Sequence, residues 1–256
     1  PPAPEARDRG RAAALHRDGL RALRPPRGQA ADTDRAARLI EEAARLGDAD
    51  AQLLLAGSHL FRSDGGRDAA AAIPWLHRAA QQGQAEAQYR LARLLEAGDG
   101  TPRDAGWAAL WFHRAAERGH PEAAFALAML QVAGEGTARD EAEALARFAL
   151  AARRGVEPAL RYRTALAARV APAEARAAAA RVAAETARGP VAAVDRPLVR
   201  FAQSALARRG TWTAPVDGRD GPAIRAALAE FARAERLPPG APFDPAVIDR
   251  LRPLLR

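Results

Sequence analysis

Four glycines, Gly47, Gly83, Gly119 and Gly155, stand 36 residues apart along the chain. An alanine pair precedes each one: Ala43-Ala44, Ala79-Ala80, Ala115-Ala116 and Ala151-Ala152. Asp32, Asp68, Asp104 and Asp140 keep the same interval, as do Ala51, Ala87, Ala123 and Ala159. A fixed period of about 20 to 50 residues marks a stack of supersecondary units, each too thin to bury its own apolar face. Such a stack offers an extended surface and normally no catalytic cleft, so the period constrains function as well as fold.

Within one period the pattern is helix, loop, helix. In residues 85–120, Tyr89, Leu91, Ala92, Leu94 and Leu95 recur at helical spacing and stop at Gly98 and Gly100. Asp104 then stands where an N-cap is wanted, Trp107, Ala108, Leu110, Trp111 and Ala115 continue with helical periodicity, and Gly119 suits a left-handed stop. A less regular first unit runs from about Arg9 to Gly47, with a loop at Pro25 to Gly28, and a degenerate fifth from Glu157 to about Ala187, with Pro172 at a helix start. Irregular end units are expected, because terminal repeats close the core. Alanine dominates the apolar residues and aromatics are 5% of the chain, a balance for close-packed helices and not for a β-sandwich.

The units resemble Sel1-like repeats, relatives of tetratricopeptide repeats. The resemblance rests on A-x-x-x-L-A…A-G-x-G-T-x-x-D…A-x-x-W-x-x-R-A-A-x-x-G, clearest from Ala87 to Gly119 and from Ala123 to Gly155. It implies an all-α fold, a right-handed α-solenoid of helix pairs, and a protein partner on its concave side. That side would be built from the first helix of each pair, around His59, Arg90, Arg93 and Gln131.

At Arg188-Gly189-Pro190 the period ends. The expected organisation is a Pro-rich leader at 1–8, the solenoid at 9–187, a linker at 188–196 and a small three-helix domain at 197–256. The tail helices are expected at about Pro197 to Arg209, Pro222 to Arg236 and Pro245 to Leu255, the last two opening on a proline at the first helical position. The tail resembles the small peptidoglycan-binding domain of bacterial wall proteins through Val199, Gln203, Leu206, Gly210-Thr211-Trp212, Val216-Asp217-Gly218, Gly221-Pro222, Ala227, Phe231, Leu237, Gly240 and Asp244-Pro245. By that resemblance Trp212, Asp217, Gly218, Arg225 and Phe231 are candidates for contact with peptidoglycan. The tail departs from the family where Asp220 replaces an aromatic, Ile224 a threonine and Ala232 a glutamine. Val216-Asp217-Gly218 also reads simply as a turn, and Trp212 as the cover of a small core.

The formal charge is +8, and every basic residue is arginine. Residues 196–256 carry eleven Arg against six acids, net +5, which suits an anionic partner such as the cell wall. Nucleic acid is a poorer fit, since Phe201, Trp212, Phe231 and Phe243 fall mostly at core spacings. There is no cysteine, hence no thiolate metal site. His77 and His113 occupy equivalent places in adjacent repeats; helix spacings of about 8–10 Å would keep them too far apart to share a metal, so both are read as a solvated face. No nucleophile motif or Walker loop is present, and Gly98-Asp99-Gly100-Thr101 recurs at Gly134 to Thr137 as a repeat turn.

No enzyme, cofactor or metal is therefore expected. No stretch approaches the roughly 18 apolar residues of a membrane span, and a Pro-rich start suits a spacer following an anchor upstream. The pairing of domains is similar to the periplasmic part of polar localisation factors of alphaproteobacteria. That likeness implies a periplasmic scaffold, with an accessory subunit of a wall enzyme, secretion system or envelope sensor kinase as the alternative.

Overall fold

The computed structural model describes residues 6–26, 29–61, 65–185, 189, 193–238 and 240–255, with the side chains of Ala6 and Arg7 excepted. Residues 1–5 of the expected leader, Arg27-Gly28 of the first loop, and Arg188 and Pro190 to Ala192 of the expected linker lie outside them. No strand occurs among the described residues.

The 36-residue period is a period of helix pairs: α1 (Ala6–Leu23) with α2 (Thr33–Arg45), α3 (Ala49–Leu60) with α4 (Ala69–Gln81), α5 (Ala85–Ala97) with α6 (Ala105–Glu117), and α7 (Pro121–Ala133) with α8 (Glu141–Arg153). The recurring aspartates begin every second helix. Asp32, Asp68, Asp104 and Asp140 accept from the backbone N–H three residues on at 2.8–2.9 Å, caps worth about 1 kcal/mol each. The N–H of Asp68, Asp104 and Asp140 in turn donates to the carbonyls of His59, Leu95 and Gln131, tying each second helix to its first. At the far end Gly47, Gly83, Gly119 and Gly155 take φ between 87° and 99°, where a side chain would be strained. Their N–H groups, and those of the next residues, bond to the alanine-pair carbonyls. The alanine methyls are buried at the helix crossings, only Ala152 being half-buried.

Contacts between repeats are also periodic. The loop of one repeat presses on the start of the preceding second helix so closely that a Cβ at Gly136 would lie 2.1 Å from the Ala105 carbonyl oxygen. Arg67 reaches Asp99 and Arg103 reaches Glu135, while the Gln52 and Gln88 amides donate to Ala44 and Ala80. One apolar core runs continuously from Ala56 to Leu166. The fifth unit contributes α9 (Glu157–Ala167) and α10 (Pro172–Ala184), with Pro at the start of both; α10 lies on α8 through Ala178 and Val182 against Ala146.

The tail forms α11 (Arg196–Arg208), α12 (Pro222–Ala234) and α13 (Pro245–Leu251), which runs into a 3₁₀ turn (Arg252–Leu255). Its core of Val199, Phe201, Ala202, Leu206, Ile224, Leu228, Phe231, Ile248, Leu251 and Leu255 also takes in Leu110, with Trp107 packed against it, both from α6. The tail is thus seated on the third repeat.

Candidate functional site

On the third and fourth repeats the second-helix side is closed by the chain itself. Of α6, every residue from Ala105 to Ala116 except Trp107 is buried, and of α11 every residue from Pro197 to Leu206. Trp107 meets Phe201 edge-on at 5.1 Å, and Gly106 lacks the Cβ that would lie 2.7 Å from Leu255. Two ion pairs clamp this contact: Arg114 grips both oxygens of Asp195 at 2.7 and 2.9 Å, and two Arg252 nitrogens share one Asp104 oxygen at 3.0 and 2.6 Å.

Beside the clamp lies a buried polar cluster. One Arg147 nitrogen donates to Glu143 and Glu185, both at 2.7 Å, and stands 3.2 Å from His113 Nε2, while Arg200 of α11 donates to Glu143 at 2.8 Å. Burial and the charge of Arg147 push the His113 imidazole well below its ordinary range, so the ring is neutral. Burial opposes ionisation of Glu143, but Arg147 and Arg200 prevail and hold its carboxyl well below the usual range. Glu117 goes the other way: burial, then the charges of Glu185 and Asp195, raise it to about 7. The ligand atoms of His113, Glu143 and Glu185 converge within 4.8 Å, yet the cation they surround is the Arg147 guanidinium. A similar grouping of His16, Asp48 and Asp50 is engaged otherwise, Asp48 capping Ala51 and Asp50 accepting from Gln84.

His113 therefore departs from the expectation of a solvated face, whereas His77 meets it. The helix sequences do not separate the two, since α4 reads AAAAIPWLHRAAQ and α6 AGWAALWFHRAAE, both without a charged stripe; what encloses His113 is its contact with Arg147 and Glu185.

The side made by first helices is open. Leu54 and Phe61 are exposed by 41% and 69% of their surface, large values for apolar side chains. Of the expected partner residues, His59 is half-buried, Arg90 pairs with Glu86 and lies 5.8 Å from the Phe61 ring, and Arg93 is exposed. Gln131 is a correction: it is buried, and its amide donates to Glu143 at 3.1 Å, because a polar side chain among the apolar contacts of α7 needs an internal acceptor.

The tail's candidate residues are dispersed. Gln203 pins the Val216–Gly218 segment by donating to Asp217 and accepting from the Gly218 N–H, and Asp217 accepts from the Arg219 N–H, which makes the segment a turn. Trp212 is half-buried with its indole N–H toward Pro215, and Arg225 is held by Asp220. Phe231 is in the core under Arg209, in a cleft with Thr211, Ala227, Glu230 and Ala234 whose lining omits Trp212, Asp217 and Arg225.

The family described as Sel1 repeat matches residues 12–48, 49–84, 85–120 and 121–156. No curated protein matches the chain. Among solved structures it is similar to a protective antigen of uropathogenic Escherichia coli with an SLR fold, at 24% identity and TM-score 0.54, over 73% of this chain and 43% of that one. It is also similar to a Sel1 repeat protein from Oxalobacter formigenes, at 23% identity and TM-score 0.54, over 70% and 75%. The chain thus spans less than half the length of the first relative. Both likenesses are of fold.

Proposed function

Because this chain belongs to the Sel1 repeat family, whose repeats generally mediate protein–protein interaction, we propose that it is a non-enzymatic scaffold of the periplasm. Its first-helix side receives a protein client and its tail rests against the cell wall. The observation that carries the reading is the asymmetry of the stack: the tail and α10 cover α6 and α8, while Leu54, Phe61 and Arg93 are left at the surface of the other side. The tail's part is electrostatic. Ile224 is core and Asp220 holds Arg225, so two positions that depart from the wall-binding pattern do structural work here. What the tail retains is net charge, which favours weak, salt-sensitive adhesion to an anionic wall and a role in polar localisation or envelope organisation.

Two measurements test the halves separately. Photo-crosslinkers at Leu54 and Arg93 should capture a client from periplasmic extract, and capture only by a crosslinker at the exposed Arg78 of α4 would overturn the choice of side. Co-sedimentation of the whole chain with purified sacculi should occur at low salt and vanish near 0.5 M. Retention at high salt that Trp212→Ala abolishes would replace electrostatic adhesion by a true pocket, and no retention at any salt would remove the wall from the proposal.

A further inference from the structure

Between the part of α6 that the tail covers and the part of α8 that α10 covers, the second-helix side is open to solvent. A groove of about 730 Å³ runs between the C-terminal ends of α6 and α8 and the outer turns of α10. That lies within the range of about 300–1,000 Å³ typical of ligand clefts. Much of its wall is small and apolar, with Ala146, Ala149, Leu150, Ala179, Val182 and Ala183. Its mouth carries Arg118, Arg153 and Arg154, none of them ion-paired among the described residues: Arg118 and Arg154 each donate to a backbone carbonyl, and Arg153 is exposed. Two lining groups are buried without a hydrogen-bond partner, the Nε donors of Arg118 and Arg147, whereas Glu185 Oε1 is ion-paired with Arg196 at 3.5 Å. Arg147 and Glu185 have side chains only 1% exposed. An unmet buried polar group is costly, and two donors beside one opening suit a site that receives carbonyl or carboxylate oxygens.

We propose that this groove binds an acidic peptide segment of a partner protein, at a site separate from the open first-helix side. The apolar and basic lining has a counterpart in such a segment, while of the two lining acids Glu185 is neutralised by Arg147 and Arg196 and the Glu117 pKa is raised to about 7. Small apolar walls admit an extended backbone with small side chains, the two Nε donors match peptide carbonyls, and the arginine mouth receives carboxylates. A nucleic acid would want aromatic platforms, and the lining contains none.

The test is fluorescence polarisation of the full chain with labelled hexapeptides of alanine and valine that carry three glutamates, against counterparts with glutamine. The glutamate peptide should bind at least tenfold more tightly. Arg153→Glu should weaken it at least tenfold, and Ala183→Trp, which fills the groove from an exposed position of α10, should abolish it with the unfolding midpoint unchanged; Ala179→Phe serves if that variant misfolds. Phe61→Ala, on the other side of the stack, should leave peptide binding as it is, so a failed client site and a failed groove are told apart. Equal binding of both peptides, binding indifferent to the groove-filling variants, displacement by a single-stranded oligonucleotide, or no binding at millimolar peptide would each overturn the assignment.

Discussion

Helices α4 and α6 carry nearly the same words, Trp-Leu-His-Arg-Ala-Ala and Trp-Phe-His-Arg-Ala-Ala, at equivalent places in adjacent repeats. In both, the arginine lies 4.7 Å over its tryptophan ring, and in both the alanines are buried at the helix crossing. Yet His77 is exposed and His113 is enclosed. The difference comes from other positions: Gly106 stands where α4 has Ala70, Leu110 where it has Pro74, and Glu117 where it has Gln81. The shared words build a helix against its repeat neighbours. The unshared residues decide whether anything is laid across its outer side.

The comparison breaks most readily at the arginines. Arg114→Ala should cost about 3–5 kcal/mol in urea unfolding, because it leaves the largely buried Asp195 unpaired. Arg78→Ala loses only an exposed contact with Trp75, worth about 0.5–1 kcal/mol. Equal losses would mean that the clamp does not bear on stability.

Next comes Glu117, faced by His113 of its own helix, Arg147, Glu185, Asp195 and Arg196. Its folded pKa is raised from 4.5 to about 7, so its contribution is fully present below 4.5 and is lost as pH rises through 7. Glu117→Gln, which makes the position read as α4 does, should remove that decline and stabilise the protein at pH 8 by about 3 kcal/mol. A stability profile from pH 4 to 8 checks it, and an unchanged profile would place Glu117 in water.

Where the helices agree, the effects should agree. Ala79→Leu and Ala115→Leu should each overpack a crossing at a cost of about 1–3 kcal/mol, and an untouched midpoint in either would deny that crossing. The smallest effect is the sharpest discriminator. Gly106→Ala should cost about 1–2 kcal/mol, the clash with Leu255 outweighing the gain in helix propensity, while Ala70→Gly should cost up to about 1 kcal/mol through propensity alone. Alanine is thus worse than glycine at 106 and better at 70. Limited proteolysis of Gly106→Ala should also release the tail.

The repeats were legible because their signals are local: an aspartate caps the helix that follows it, and a turn glycine closes the one before it. The tail's helix starts were legible for the same reason, α12 and α13 beginning at Pro222 and Pro245 as the Gly-Pro and Asp-Pro pairs indicate. Docking was not, because it joins Asp104 to Arg252 and Arg114 to Asp195 across stretches with no common period. His113 is enclosed by Arg147 and Glu185, which its own helix does not announce, and Gln131 by the carboxylate of Glu143 within its own repeat.

The tail touches two units at once, holding Asp104 and Arg114 of the third repeat and Glu143 of the fourth. That has a consequence for how such a protein changes over generations. Insertion of one more 36-residue unit between the third and fourth would carry Glu143 a whole step away from Arg200 and part the tail from one of its anchors. A unit gained or lost before Ala85 leaves every one of those pairings in place. The array is free to lengthen or shorten from its beginning, while its last two full units and the tail are inherited together as a single block.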